Sequence, residues 1–141
     1  MSVSADNLVA AAKAAATNAY APYSGYHVGA ALLLADGRIV TGANFENASY
    51  GLSLCAETVA IAKASSDGLL TQITAIAVAG GPPGNAGGET CTPCGRCRQI
   101  IKEVADLTDI DIPVHCARRG GYDTHLLSEL LPHAFGPQNL R

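Results

Sequence analysis

The chain has 141 residues, enough for one ordinary hydrophobic core and too few for two. It is 48% hydrophobic and only 15% charged, with a net charge of -3 and no run of lysine or arginine. No basic face is available to track a phosphate backbone, which argues against long nucleic acid as a partner, and the scarcity of charge predicts surface hidden in subunit contacts.

The first twenty residues, MSVSADNLVAAAKAAATNAY, lack a basic segment followed by an apolar core, so a secretory leader is not expected. No apolar stretch reaches the roughly 18 to 20 residues that span a bilayer. The expected compartment is the cytoplasm, where the five cysteines read as metal ligands, catalytic groups or buried thiols rather than disulfides. Residues 5–20 are alanine-rich without proline or glycine, and predict a helix capped by Ser4 or Asp6. After a break at YAPYSGY, the run HVGAALLLA (27–35), the pair Asp36-Gly37 and the run RIVTGANF predict a β-hairpin. LCAETVAIAKASSDG (54–68) places apolar residues at helical spacing and ends on a glycine. ITAIAVAGG (73–81) predicts a central strand, and PPGNAGGET a loop. CGRCRQIIKEVADL (94–107) predicts another amphipathic helix behind Pro93. DIPVHCA reads as a strand, RRGGYD as a turn and LLSELLP as a short last helix. With no internal repeat and no linker, residues 1–141 read as a single α/β domain with a mixed sheet between helices.

The chemistry concentrates at two predicted helix starts, Cys55 at one and Cys94 with Cys97 at the other. A thiol there meets unpaired backbone N–H groups and the positive end of the helix dipole, which favour the thiolate that binds metal. If the two helix starts converge at one sheet edge, three thiolates form a zinc site with an open fourth position. Glu57, two residues after Cys55, is then placed to move the protons of a metal-activated water. Two alternatives use the same residues. Cys94 and Cys97 could be a redox pair, or Cys91 could complete a four-cysteine structural zinc or iron–sulfur site. Cys116, within a strand, reads as an ordinary buried thiol.

C-A-E (55–57) followed by P-C-G-R-C-R-Q (93–99) resembles the small zinc cytidine deaminases of the homotetrameric class, with cysteine where other zinc deaminases carry histidine. APYSGYHVGAALL, GANFENASYG and LLPHAFGPQNL are similar to further segments of that family, so the likeness spans roughly residues 19–140. The resemblance implies a three-layer α/β/α sandwich with a mixed sheet of about five strands. It implies one zinc per subunit on Cys55, Cys94 and Cys97, with Glu57 as proton shuttle. The implied reaction is the hydrolytic deamination of cytidine, and of 2'-deoxycytidine, to uridine or deoxyuridine and ammonia by a zinc-bound hydroxide, in pyrimidine salvage.

By the same resemblance, Asn44 and Glu46 hold the ribose hydroxyl, and the backbone at Ala56 and Thr92 meets the pyrimidine edge. Tyr26 stands where the family usually has phenylalanine, so its hydroxyl needs a partner. Phe135 is the implied aromatic that reaches a neighbouring subunit's pocket in a homotetramer. His27, His115, His125 and His133 read as structural or surface residues. Thr58 stands where many family members have arginine. Zinc with three thiolates is net negative and a weak Lewis acid, so Arg96 or Arg98 is expected to neutralise the site. Rival readings are a deaminase of the blasticidin type, a polynucleotide-editing deaminase and a non-enzymatic four-cysteine module.

Overall fold

The computed structural model describes residues 3–140. Helix α1 (Ala5–Ala16) begins where the Ser4 hydroxyl accepts from the Asn7 N–H at 3.2 Å. It stops short of the 5–20 span expected from composition. Tyr20 is pulled away by backbone pairing, its N–H donating to Asn44 O at 3.0 Å and its carbonyl accepting from Glu46 N at 2.9 Å.

Strands β1 (His27–Leu34) and β2 (Ile39–Ala43) form the expected hairpin around Asp36-Gly37. Gly37 takes φ of 91°, which a β-carbon would strain. Helix α2 (Ala56–Ser66), strand β3 (Ile73–Gly81), helix α3 (Gly95–Thr108), strand β4 (Pro113–Arg118), strand β5 (Gly121–Leu126) and helix α4 (Leu127–Leu130) follow. The sheet runs β2-β1-β3-β4-β5, with β3 and β4 parallel and the other neighbours antiparallel.

RRGGYD is only partly a turn. Arg119 and Gly120 turn the chain, and the segment from Gly121 onward becomes the fifth strand, paired along β4. As an edge strand it is only half buried, so GYDTHL carries no apolar run that would announce it.

Alternation along the strands sorts the core into two layers. Ala30, Leu32, Leu34, Ile76, Val78, Val114 and Cys116 pack with residues of α2 and α3. Ala31, Ala75, Ala77, Ala79 and Ala117 pack with Leu8, Val9 and Ala12 of α1. The layers are therefore α1, sheet, and α2 with α3. Two glycines permit the close approach: a Cβ at Gly29 would strike Ala12 O, and one at Gly42 would lie 2.7 Å from Ala56 O and 2.6 Å from Ala60 N. Because β2 and β3 are both antiparallel to β1, their C-terminal ends share one edge of the sheet. Helices α2 and α3 start from that edge on the same face, where open sheets commonly bind ligands.

Candidate active site

Cys55 is the N-cap residue of α2 and Cys94 that of α3, and neither spends its side chain on a cap hydrogen bond. Cys97 lies in the first turn of α3 and is fully buried. The three sulfurs lie within 4.8 Å of one another, with Cys55 and Cys94 Sγ 3.7 Å apart. Tetrahedral zinc about 2.3 Å from each sulfur requires sulfurs roughly 3.8 Å apart, so the donor set and its spacing fit that ion. Among the described residues, this is the one group of three or more histidine, cysteine or acidic side chains close enough to hold a metal. The Cys55 thiol is pulled down to about 6 by hydrogen bonding from Cys97 and then Cys94, with Arg96 nearby adding positive charge. The same Cys55–Cys97 contact, with burial, pushes the Cys97 thiol up.

Glu57 sits in the first turn of α2, 3% exposed. Burial raises its carboxyl to about 7, and the neighbouring Cys55 charge adds to the rise. Its Oε1 has no hydrogen-bond partner, and such an orphan in a buried position marks a group held for a ligand or a reaction.

A cavity of about 270 Å³ opens in front of the sulfurs. Tyr26, Asn44, Glu46, Ala56, Glu57 and Thr92 line it together with Cys55 and Cys94. Cys97 lies in the sulfur cluster at its base. Phe135 stands apart: it is 58% exposed and does not line this chain's cavity, and its carbonyl accepts from Gln99 Nε2 at 2.9 Å. None of the four histidines lines the cavity.

The wall opposite the helices is built by side chains that bond to backbone. Asn44 Oδ1 accepts from Val28 N at 2.8 Å and its Nδ2 donates to Tyr26 O at 2.9 Å, which locks the entrance to β1. Glu46 accepts from the Ser24 hydroxyl and from the N–H groups of Tyr23 (3.0 Å) and Ser24 (3.1 Å). The Ser24 hydroxyl bond holds its carboxyl below the usual range. Sequence reasoning did not single out Tyr23 and Ser24, because a backbone N–H has no signature in residue type.

Cys91 lies outside the sulfur cluster but lines the cavity. Its sulfur and the Tyr26 hydroxyl sit side by side over Gly80, where a Cβ would come within 2.8 Å of the sulfur and 3.0 Å of the hydroxyl. Burial and the Cys91 thiol together push the Tyr26 phenol up to about 12. The neighbour that the Tyr26 hydroxyl needs is thus Cys91.

Arg98 gives its guanidinium to carbonyls, Pro93 O at 2.7 Å and Leu130 O at 2.9 Å. It ties the Thr92–Pro93 loop to α4 and is not spent on sulfur. Arg96 reaches Ser53 O at 3.5 Å and acts on Cys55 through its charge. The Thr58 hydroxyl lies 3.6 Å from Cys97 Sγ.

Comparison with known proteins places this architecture among relatives. The family described as "Cytidine and deoxycytidylate deaminase zinc-binding region" matches residues 2–110. The cytidine deaminase of Halalkalibacterium halodurans is 42% identical over 134 residues, covering 94% of this chain and 95% of that protein. That of Mycobacterium tuberculosis is 44% identical over 128 residues, covering 89% and 85%. The crystal structure of cytidine deaminase from Burkholderia pseudomallei superposes with a TM-score of 0.82 at 39% identity, over 94% of this chain and all 100% of that one.

Proposed function

Since the chain belongs to the cytidine and deoxycytidylate deaminase family, we propose that it converts cytidine and water to uridine and ammonia, and acts likewise on 2'-deoxycytidine. The observation that carries this reading is the pairing of a three-thiol cluster with a buried, unpartnered Glu57 at the base of one cavity.

Cys55, Cys94 and Cys97 would hold zinc, which when bound acidifies a water molecule for attack on the ring. Glu57 takes the proton of the attacking water and delivers it to N3 of the ring. It then takes the remaining proton of the C4 hydroxyl and delivers it to the exocyclic amine, so that the C4–N bond breaks, ammonia leaves and the C4 carbonyl forms. A carboxyl raised to about 7 suits this double duty, being neither too weak a base nor too weak an acid near neutral pH. The Ala56 N–H, at the start of α2, is one of the donors without an intrahelical partner, and with the Thr92 backbone it faces the pyrimidine edge. Asn44 keeps one amide N–H and Glu46 one remaining carboxylate lone pair for the ribose hydroxyl. Tyr26 packs against the sugar and base.

The active form we propose is a homotetramer with sites shared between subunits. Tyr20, Phe45, Tyr50, Leu52 and Phe135 are between 49% and 72% exposed, more large apolar surface than water would favour on a monomer, and Phe135 is free to enter a neighbour's cavity. Five free thiols suit a reducing cytoplasm, and a role in pyrimidine salvage follows from a nucleoside substrate. No helix among the described residues is long and apolar enough to cross a membrane.

The test is an ultraviolet assay of zinc-loaded protein on cytidine and on deoxycytidine, beside a Glu57→Gln control. Turnover by the wild type and its loss in the control support the reading. A zinc-loaded wild type inert on both nucleosides overturns it.

A further inference from the structure

Cys97 is the one sulfur of the cluster with no solvent exposure, so water cannot satisfy its charge once it is a thiolate. The only side-chain hydroxyl within hydrogen-bond reach of it among the described residues is that of Thr58, at 3.6 Å. A metal-bound thiolate has no proton to give, so the hydroxyl must be the donor. A helical threonine can bond back to the carbonyl four residues earlier. Here Thr58 Oγ1 makes no such bond and no hydrogen bond other than that to Cys97 among the described residues.

Charge makes the contact consequential. Three thiolates around a divalent ion leave the centre net negative, with the buried Glu57 close by. Arg98 is committed to the carbonyls of Pro93 and Leu130, and Arg96 stands near Cys55 at the exposed side of the cluster. Neither guanidinium hydrogen-bonds the buried sulfur. We propose that Thr58 is a positioning residue of the metal centre: it donates a hydrogen bond to the Cys97 thiolate, orients that sulfur across the α2–α3 junction and draws charge from the metal. The proposal rests on the zinc reading of the three thiols. Outer hydrogen bonds of this kind commonly contribute a factor of about ten or more to metal affinity.

The experiment compares wild type with Thr58→Val, which removes the hydroxyl at constant shape, and Thr58→Ser, which restores it without the methyl. Thr58→Ala serves as a second hydroxyl-free variant if valine crowds the sulfur. Zinc affinity is measured by competition with a chromophoric chelator, and cobalt-substituted protein reports sulfur-to-cobalt charge transfer. The valine and alanine variants are expected to bind zinc about tenfold more weakly and to move the charge-transfer band to longer wavelength, because an unbonded thiolate gives up charge more readily. The serine variant is expected to keep the wild-type band. Wild-type protein that shows no thiolate–cobalt band overturns the zinc reading, and this proposal with it. A wild type with that band and a valine variant identical to it in band and affinity overturns the Thr58 proposal alone. A serine variant as impaired as valine assigns the effect to packing and likewise overturns it.

Discussion

The two walls of the cavity are built on opposite terms. The helical wall, where α2 meets α3, holds Cys55, Glu57, Cys94 and Cys97 on helix first turns, and its polar groups are undersatisfied: two N-cap thiols make no cap bond and Glu57 Oε1 has no partner. The loop wall, from Tyr23 to Val28 and Asn44 to Glu46, is more exposed, yet its carboxylate and amide already bond to backbone. Unsatisfied buried groups cost stability and retain reactivity, whereas satisfied exposed groups hold shape. If the proposed function holds, bond making falls to the first wall and recognition to the second, and substitutions should separate along that line.

The largest effect is expected from Glu57→Gln. It should lower kcat by about 10³-fold with zinc content unchanged, as loss of a general acid–base group does. Steady-state kinetics beside metal analysis measures this, and a mutant that kept a tenth of its kcat would break the division. The next effect is on stability, and its sign follows from linkage. The Glu57 carboxyl rises from 4.5 in the unfolded chain to about 7 when folded, so the stability it contributes is present below pH 4.5 and is lost as pH climbs through 7. In chelator-treated protein, Glu57→Gln should therefore be more stable than wild type at pH 8 by about 3 kcal/mol, with the gap closing toward pH 4.5. Denaturant melts at the two pH values show whether the reactive group is held at a cost to the fold.

On the loop wall, Glu46→Gln should raise KM for cytidine about tenfold and leave kcat within a few-fold, the signature of lost ground-state binding. A fall in kcat as large as that of the Glu57 variant would mean that the two walls are not separable. The smallest effect is expected from Cys91→Ser. Zinc stoichiometry should not change, since Cys91 lies outside the sulfur cluster, and KM should move by less than the Glu46 change because only its contact with Tyr26 is altered. Loss of a zinc equivalent by elemental analysis would return Cys91 to the metal site.

The helical wall was also the more legible of the two in the sequence. C-A-E and C-G-R-C announce themselves because helix starts, caps and periodicity are written in residues a few positions apart, and the helix and strand limits near them shift by only one or two residues. The Asp36-Gly37 hairpin and the strand Ile73–Gly81 are local in the same way. Tertiary structure decided what local pattern cannot carry. It ended α1 at Ala16 by drawing Tyr20 to Asn44, and it made a strand of Gly121–Leu126 by offering β4 as an edge. It also placed Tyr26 beside Cys91 and Thr58 beside Cys97. The physical reason is that such contacts, up to the 39 positions between Thr58 and Cys97 and beyond, follow from which elements share a sheet edge and how closely glycine and alanine let them approach, and neither property belongs to any one segment.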